Sequence, residues 1–246
     1  MVTIKKKQFF ITLRENWFGY SFTLLDLLLP ACYRGIREIK KPFYFGFKKP
    51  TITLVLSLDK SIEEIYNDFS DTHKKHIKRG EKAGMECYFH NDIKGFIEFF
   101  NDFAESKNLP TFDVNRLDEF SGKEWTFSYA VLNGKILSCL SHIEDKETGN
   151  VRAMQGASVR LTDGFDPKQS AHATKLLYYY NIKHFKEKGY RYYDFGGWNN
   201  LPGLLDFKES FGAKQVPVVN YFTWTYQLKE WIQELLRSLK KSRKQQ

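Results

Sequence analysis

Residues 125–159 constrain the fold more than any other stretch. Trp125–Leu132 reads as a strand, and Lys135–Ile143 returns after Asn133-Gly134. Asn and Gly accept the positive φ that a two-residue hairpin turn demands. A polar loop, Asp145–Asn150, leads to a third strand, Val151–Val159. Asp166-Pro167 then supplies a cap and a first-turn proline for a long helix. That helix carries Leu176, Leu177, Tyr180, Ile182, His184 and Phe185 and ends at Gly189. A strand over Tyr190–Phe195 is broken by Gly196-Gly197. A helix runs from Pro202 to Phe211, with Gly212 as its stop, and Val216–Trp224 is the last strand. A meander followed by helix, strand, helix and strand predicts a mixed, mostly antiparallel sheet flanked by helices, in the α+β or α/β class.

Upstream, Thr51–Leu58 is a β-branched run and reads as a strand. Ser61-Ile-Glu-Glu64 has the form of a capping box and predicts a helix through Phe69. Asp71 or Thr72 is expected to cap a strongly basic second helix that stops at Gly84, followed by a strand over Met85–Phe89. Asn91 is expected to cap a helix with Ile93, Phe96, Ile97, Phe100 and Phe103 on one face, ending before Pro110. A short helix over Asp113–Phe120 follows. The first 50 residues offer little pattern beyond Leu24, Leu25, Leu27, Leu28 and Leu29, which suggest a short buried helix ending before Pro30.

The chain has 246 residues, 42% of them hydrophobic, which is enough to form a core without disulfides or metals. Its three cysteines, Cys32, Cys87 and Cys139, are widely spaced and odd in number. They argue against a disulfide framework and a cysteine-rich zinc site, and a reducing cytoplasm is the expected location. The apolar stretch after Lys5-Lys6-Lys7 is broken by Arg14, Glu15 and Asn16. The next, Trp17–Tyr33, contains Gly19, Asp26 and Pro30. Neither reaches the ~20 clean apolar residues of a membrane span. The six histidines show no metal spacing, and no metal is expected.

The net charge of +9 is concentrated in three clusters. They are Arg34–Lys49, the helix around Lys74, Lys75, His76, Lys78 and Arg79, and a tail carrying Arg237, Lys240, Lys241, Arg243 and Lys244. Basic faces of this kind attract RNA, anionic head groups or phosphorylated substrates. The last segment, Gln227–Leu239, is amphipathic through Leu228, Trp231, Ile232, Leu235, Leu236 and Leu239. Docking on the core is the commoner use of such a helix. The alternative is a peripheral membrane contact with the basic end towards phosphates.

The densest chemical signal is Tyr193-Asp-Phe-Gly-Gly-Trp198 followed by Gly203-Leu-Leu-Asp-Phe-Lys-Glu-Ser-Phe-Gly212. A strand ends on an acid and two glycines, which let backbone pass close to a ligand or simply make a tight turn. Lys208 follows on a short helix, where a lysine could steady an oxyanion or hold a phosphate. The bland reading is a turn capped by Asp194 and a surface lysine. Two further stretches stand out. One is Ser70-Asp-Thr-His-Lys-Lys-His-Ile-Lys-Arg-Gly-Glu-Lys-Ala-Gly84, and the other is Gly156-Ala-Ser158 with Arg160. In this order and spacing, residues Thr51–Trp224 resemble the Fem family of peptidoglycan-bridge aminoacyltransferases, a branch of the GNAT acyltransferase superfamily.

The resemblance implies a GNAT-like fold in which an activated acyl donor sits between two splayed strands and passes its acyl group to an amine. It implies that Lys208 stabilises the tetrahedral transition state and Phe207 shapes the pocket. Asp194, Gly196, Gly197 and Trp198 would line the site with Gly156, Ser158 and Arg160, and Lys78 and Arg79 would meet phosphates. The acceptor it implies is an amine-bearing cell-envelope precursor, a peptidoglycan peptide or an amino sugar. The donor is an aminoacyl-tRNA or an acyl thioester of coenzyme A or an acyl carrier protein, with no tightly bound cofactor. Fem proteins normally carry two GNAT-like units, and several have a helical arm. Here residues 1–50 are expected to be an extension or the remnant of a first unit. Residues 51–226 are expected to be the acyltransferase domain, and residues 227–246 the basic amphipathic helix. Leu161–Asp166 leaves no room for the arm. An ordinary GNAT pyrophosphate loop reads Gln/Arg-x-x-Gly-x-Gly/Ala, whereas Arg160-Leu-Thr-Asp-Gly-Phe-Asp-Pro-Lys keeps only Gly164 and adds Asp163 and Asp166. Glu209 and His172 are candidate general bases. Ser158 lacks an evident His-Asp pair for a hydrolase triad. The opposing reading is a non-catalytic module that binds RNA or an anionic membrane through its basic faces.

Overall fold

The computed structural model describes residues 1–8, 11–19, 28–37, 46–113, 117–120, 122, 124–159 and 166–232. In chain order its elements begin with β1 (Val2–Gln8), β2 (Ile11–Trp17), β3 (Ala31–Ile36) and β4 (Phe47–Ser57). Next come α1 (Ile62–Asn67), α2 (Asp71–Lys82), β5 (Glu86–Phe89) and α3 (Ile93–Ser106), then a 3-10 turn over Leu117–Phe120. The meander is β6 (Trp125–Leu132), β7 (Lys135–Asp145) and β8 (Asn150–Ser158). It is followed by α4 (Pro167–Glu187), β9 (Tyr192–Gly196), α5 (Pro202–Glu209) and β10 (Lys214–Phe222). A helical stretch covers 224–232.

Local chemistry accounts for the helix starts. Ser61 and Glu64 close the expected capping box on α1. Asp166 caps α4, with Pro167 in its first turn. Two caps differ from expectation. Ser70, not Asp71 or Thr72, caps α2 by accepting from the His73 amide, and Asp92, not Asn91, caps α3 by accepting from the Gly95 amide. In each case the side chain that reaches the third helical N–H takes the role. The Asn133-Gly134 turn has φ of 52° and 76°, the left-handed pair that a tight hairpin needs.

The chain divides into two compact units. Thr53–Val216 forms one, and Met1–Ile52 with Pro217 onward forms the other. In the larger unit the sheet order is β4-β9-β8-β7-β6-β5, antiparallel throughout except for the β8–β9 pair. Because side chains alternate across a strand, Phe127 and Tyr129 share one face of β6. There Phe96 of α3 packs 4.8 Å from Phe127, ring to ring. Ser138 and His142 lie on the opposite face, where Thr174 of α4 donates to Ser138 and Phe185 of α4 packs on His142. Leu54, Leu56, Leu140, Val151, Leu177, Ile182, Phe185, Tyr193 and Phe211 belong to one buried core.

The smaller unit is built differently from what the sequence suggested. β1 and β2 pair antiparallel, β2 and β3 parallel, and β3 pairs antiparallel with β10. Residues 217–226, expected in the central domain, and the C-terminal helix therefore group with the N-terminal strands. Val219, Tyr221 and Phe222 pair with Ile36, Tyr33 and Cys32 of β3. Glu15, which reads as a break in an apolar run, is buried within β2. Lys6 lies 2.6 Å and Arg34 2.5 Å from its carboxylate. Burial raises the Glu15 pKa, but the two cations outweigh it and hold the carboxyl below its ordinary range. The helix expected around Leu24, Leu25 and Leu27 lies outside the described residues, and Leu28 and Leu29 are exposed.

Candidate active site

The parallel ladder between β8 and β9 is short. Asn150, Val151 and Arg152 pair with Tyr192, Tyr193 and Asp194, and the ladder stops there. Beyond that point β8 stays with β7, where Gly156 opposes Leu140 and Ser158 opposes Ser138. β9 stays with β4, where Leu54 opposes Gly196. Each of these flanking pairs carries a register shift, at Leu140/His142 and at Leu54/Val55. Such irregularities bend strands and re-aim them. The result is a fork whose two arms are Ala153–Ser158 and Phe195–Gly196.

Charged groups sit at the apex of the fork. Asp194 is 2% exposed. Its carboxylate accepts from Arg152 Nη1 at 2.6 Å, from the Gly196 amide at 2.7 Å and from the Thr53 hydroxyl. Arg152 also donates to Thr53 Oγ1 at 3.2 Å. Lys208 is 5% exposed, and α5 projects its ammonium onto the end of β9. There it donates to the carbonyls of Phe195 at 2.7 Å, Gly196 at 3.2 Å and Gly197. Burial, reinforced by the Arg152 charge and opposed by Asp194, lowers the Lys208 pKa to about 8. Arg152, Lys208 and Asp194 together carry one net positive charge in a nearly dry place, a setting in which a developing oxyanion is stabilised far more than in water.

Phe207 forms an aromatic wall beside this group, within 5.3 Å of the rings of Tyr178, His73 and Phe211. Lys175 Nζ lies 5.6 Å from the same ring.

No protein-family model and no curated protein sequence matches the chain. Solved structures do. The crystal structure of FemX superposes with a TM-score of 0.65 at 15% identity, covering 94% of this chain and 86% of that one. The structure of L-PGS from Bacillus licheniformis superposes at 0.57 with 11% identity, covering 90% and 80%. The C-terminal domain of a putative lysylphosphatidylglycerol synthetase from Agrobacterium fabrum superposes at 0.54 with 12% identity, covering 89% and 80%. The chain shares the fold of FemX. The likeness to FemX reaches past residues 51–224, so part of the flanking sequence belongs to the shared architecture.

On this Fem-like fold the expected site residues separate into two groups. Asp194, Gly196, Gly197 and Lys208 converge at the apex, Phe207 lines it, and Trp198 follows directly, half-buried. Gly156 and Ser158 lie on the β8 arm. Lys78 and Arg79 are exposed on α2 and make none of the contacts at the apex. Glu209 is exposed and accepts from Gln215 Nε2 at 2.9 Å, and His172 packs edge-on against His76. Arg160 lies outside the described residues, as does most of the loop before α4. At the start of α4 the Asp166 carboxylate takes the Lys168 amide at 2.8 Å, placing negative charge where a pyrophosphate would need a free N–H. Arg152 and Thr53 escaped the sequence reading. A basic residue between Val151 and Ala153, matched by an acid between Tyr193 and Phe195, was the available signal.

Among the described residues, no three His, Cys, Asp or Glu side chains converge as metal ligands. No helix among them is long and apolar enough to cross a membrane.

Proposed function

We propose that the chain is an N-acyltransferase that moves an acyl or aminoacyl group from an activated donor to an amine of a cell-envelope precursor, a peptide amine or an amino sugar. The observation that carries this reading is the β8–β9 fork, with the buried Arg152–Asp194 pair and Lys208 at its apex. The donor carbonyl lies in the fork, and the acceptor amine attacks its carbon. A C–N bond forms and the carbonyl π electrons move onto oxygen. The tetrahedral intermediate collapses with cleavage of the C–O bond of an ester or the C–S bond of a thioester. The proton shed by nitrogen passes, through the donor's own polar groups, to the departing oxygen or sulfur. Lys208 meets the oxyanion by exchanging its longest contact, that to the Gly196 carbonyl, for the new charge. Asp194 positions rather than reacts, because it fixes Arg152, Thr53 and the Gly196 amide at once.

The Asp166 carboxylate at α4 favours donors that place no pyrophosphate there, namely an aminoacyl-tRNA or a carrier-protein thioester. Both donors are cytoplasmic reagents, which puts the reaction in the cytoplasm.

The test is donor consumption with an amine acceptor pool, using charged total tRNA, acyl carrier protein thioester and acetyl-coenzyme A in parallel. Loss of aminoacyl ester or release of thiol is expected, with Lys208→Ala slower by ~10²–10³. The ammonium form is the competent one, so the rate should fall as pH rises through about 8. Undiminished turnover in Lys208→Ala overturns the assigned role.

One feature favours a second reading, an RNA-binding module without chemistry. Lys75, Lys78, Arg79 and Lys82 are all exposed along α2. Salt-sensitive RNA binding with no turnover on any donor would establish it.

A further inference from the structure

On the helix at 224–232 the apolar side chains face outward. Trp224, Leu228, Trp231 and Ile232 are 56%, 52%, 51% and 50% exposed. Thr225, Tyr226, Gln227, Lys229 and Glu230 are the half-buried ones. At about 100° per residue the four exposed side chains form one stripe roughly 100° wide. A helix docked on a core through its apolar face shows the reverse. The stripe continues onto β4, where Phe47, itself exposed, meets Trp224 edge to face at 5.0 Å between centroids. Lys48 and Lys49, next in the chain, are exposed as well. The sequence that follows is rich in cations, with Arg237, Lys240, Lys241, Arg243 and Lys244.

We propose that this stripe seats the protein on an anionic lipid bilayer, independently of the acyl-transfer reading. Three observations select lipid as the occupant. Two tryptophans on one helical stripe suit the headgroup boundary, where an indole has both an apolar bed and a wet edge. Cations flank the stripe on β4 and follow it in sequence, matching the negative surface of a leaflet. Glu230, the acid within the helix, is already paired with Lys229 at 3.0 Å. A second copy of the chain is a poor occupant, because each copy carries the same net charge of +9.

The experiment is co-sedimentation of the full chain with phosphatidylcholine vesicles, with and without phosphatidylglycerol, read also by tryptophan fluorescence. Partitioning at least about tenfold stronger onto the anionic vesicles is expected, with a blue shift and a decline as salt rises. Leu228→Glu with Trp231→Glu should abolish it while leaving thermal unfolding unchanged, since both side chains are exposed. Lys240→Glu with Lys241→Glu, later in the sequence, should cut it by about tenfold or more. Equal partitioning onto both vesicle types overturns the proposal, as does none on either. So does a concentration-dependent dimer that the Leu228/Trp231 variant dissociates while vesicles bind nothing.

Discussion

Gly196 stands at φ +78°, a conformation that costs an L side chain roughly 1–2 kcal/mol. A Cβ there would lie 3.2 Å from Arg152 Nη2. Gly196→Ala therefore strains the backbone and pushes on the Asp194 ion pair together. The expected result is a lowered urea midpoint, with the loss of activity exceeding what the stability change alone explains. The pair itself can be weighed by a double-mutant cycle. Arg152→Met leaves the buried Asp194 carboxylate with hydrogen bonds but without its direct ion-pair partner, for a cost of about 3–5 kcal/mol. Arg152→Met combined with Asp194→Leu should cost clearly less than the sum of the two single changes, measured by urea unfolding. Equal additivity would mean the pair is uncoupled. Asp194 and Lys208 were legible because glycines and a helix start mark the place. Arg152 and Thr53 were not, because what makes them matter is register. Only the pairing of Arg152 with Asp194 across two strands shows that these charges face each other.

Among the elements, local rules worked where the deciding contact is local. The capping box of α1, the hairpin at Asn133-Gly134 and the start of α4 all form within a few residues. Ser61→Ala should lower stability by about 1 kcal/mol with no effect on donor consumption, as followed by thermal melting and a rate assay. Where two capping residues are adjacent, as at Ser70/Asp71 and Asn91/Asp92, composition cannot choose between them and reach decides. The strands of the smaller unit were the least legible. β1 and β2 contain Lys5, Lys6, Arg14 and Glu15, which look solvated until the Lys6–Glu15–Arg34 cluster is seen. Their sheet also depends on β10, which the sequence supplies only near residue 220.

Across the molecule, two buried histidines contribute to a loss of stability in acid. Burial, with Lys175 and His76 nearby, lowers the His73 pKa to about 4. Burial, with His184 nearby, lowers that of His142 to about 3. The unfolded chain takes up protons near 6.5, before the folded one does, so stability is present above about 6.5 and is lost as pH falls towards 4. The melting temperature is expected to drop over that interval. The drop should be smaller in His142→Gln, whose amide can still meet the Tyr193 hydroxyl that His142 Nε2 contacts at 2.9 Å. A flat profile between pH 7 and 4.5 would mean these histidines protonate without unfolding the protein.

The pairing of β3 with β10 has a temporal side. Ala31 binds the hydroxyl and amide of Thr223 across 192 positions, whereas every strand from β5 to β9 finds its neighbours within residues 53–216. During synthesis the larger unit can close on itself while β1–β3, made before it, still lack a partner strand. At ribosomal speeds that wait lasts roughly 10–40 s. Throughout it, one side of β3 is an open template for any other extended chain. A segment made before the larger unit is thus satisfied after it, and it is the one that needs shielding in a nascent chain.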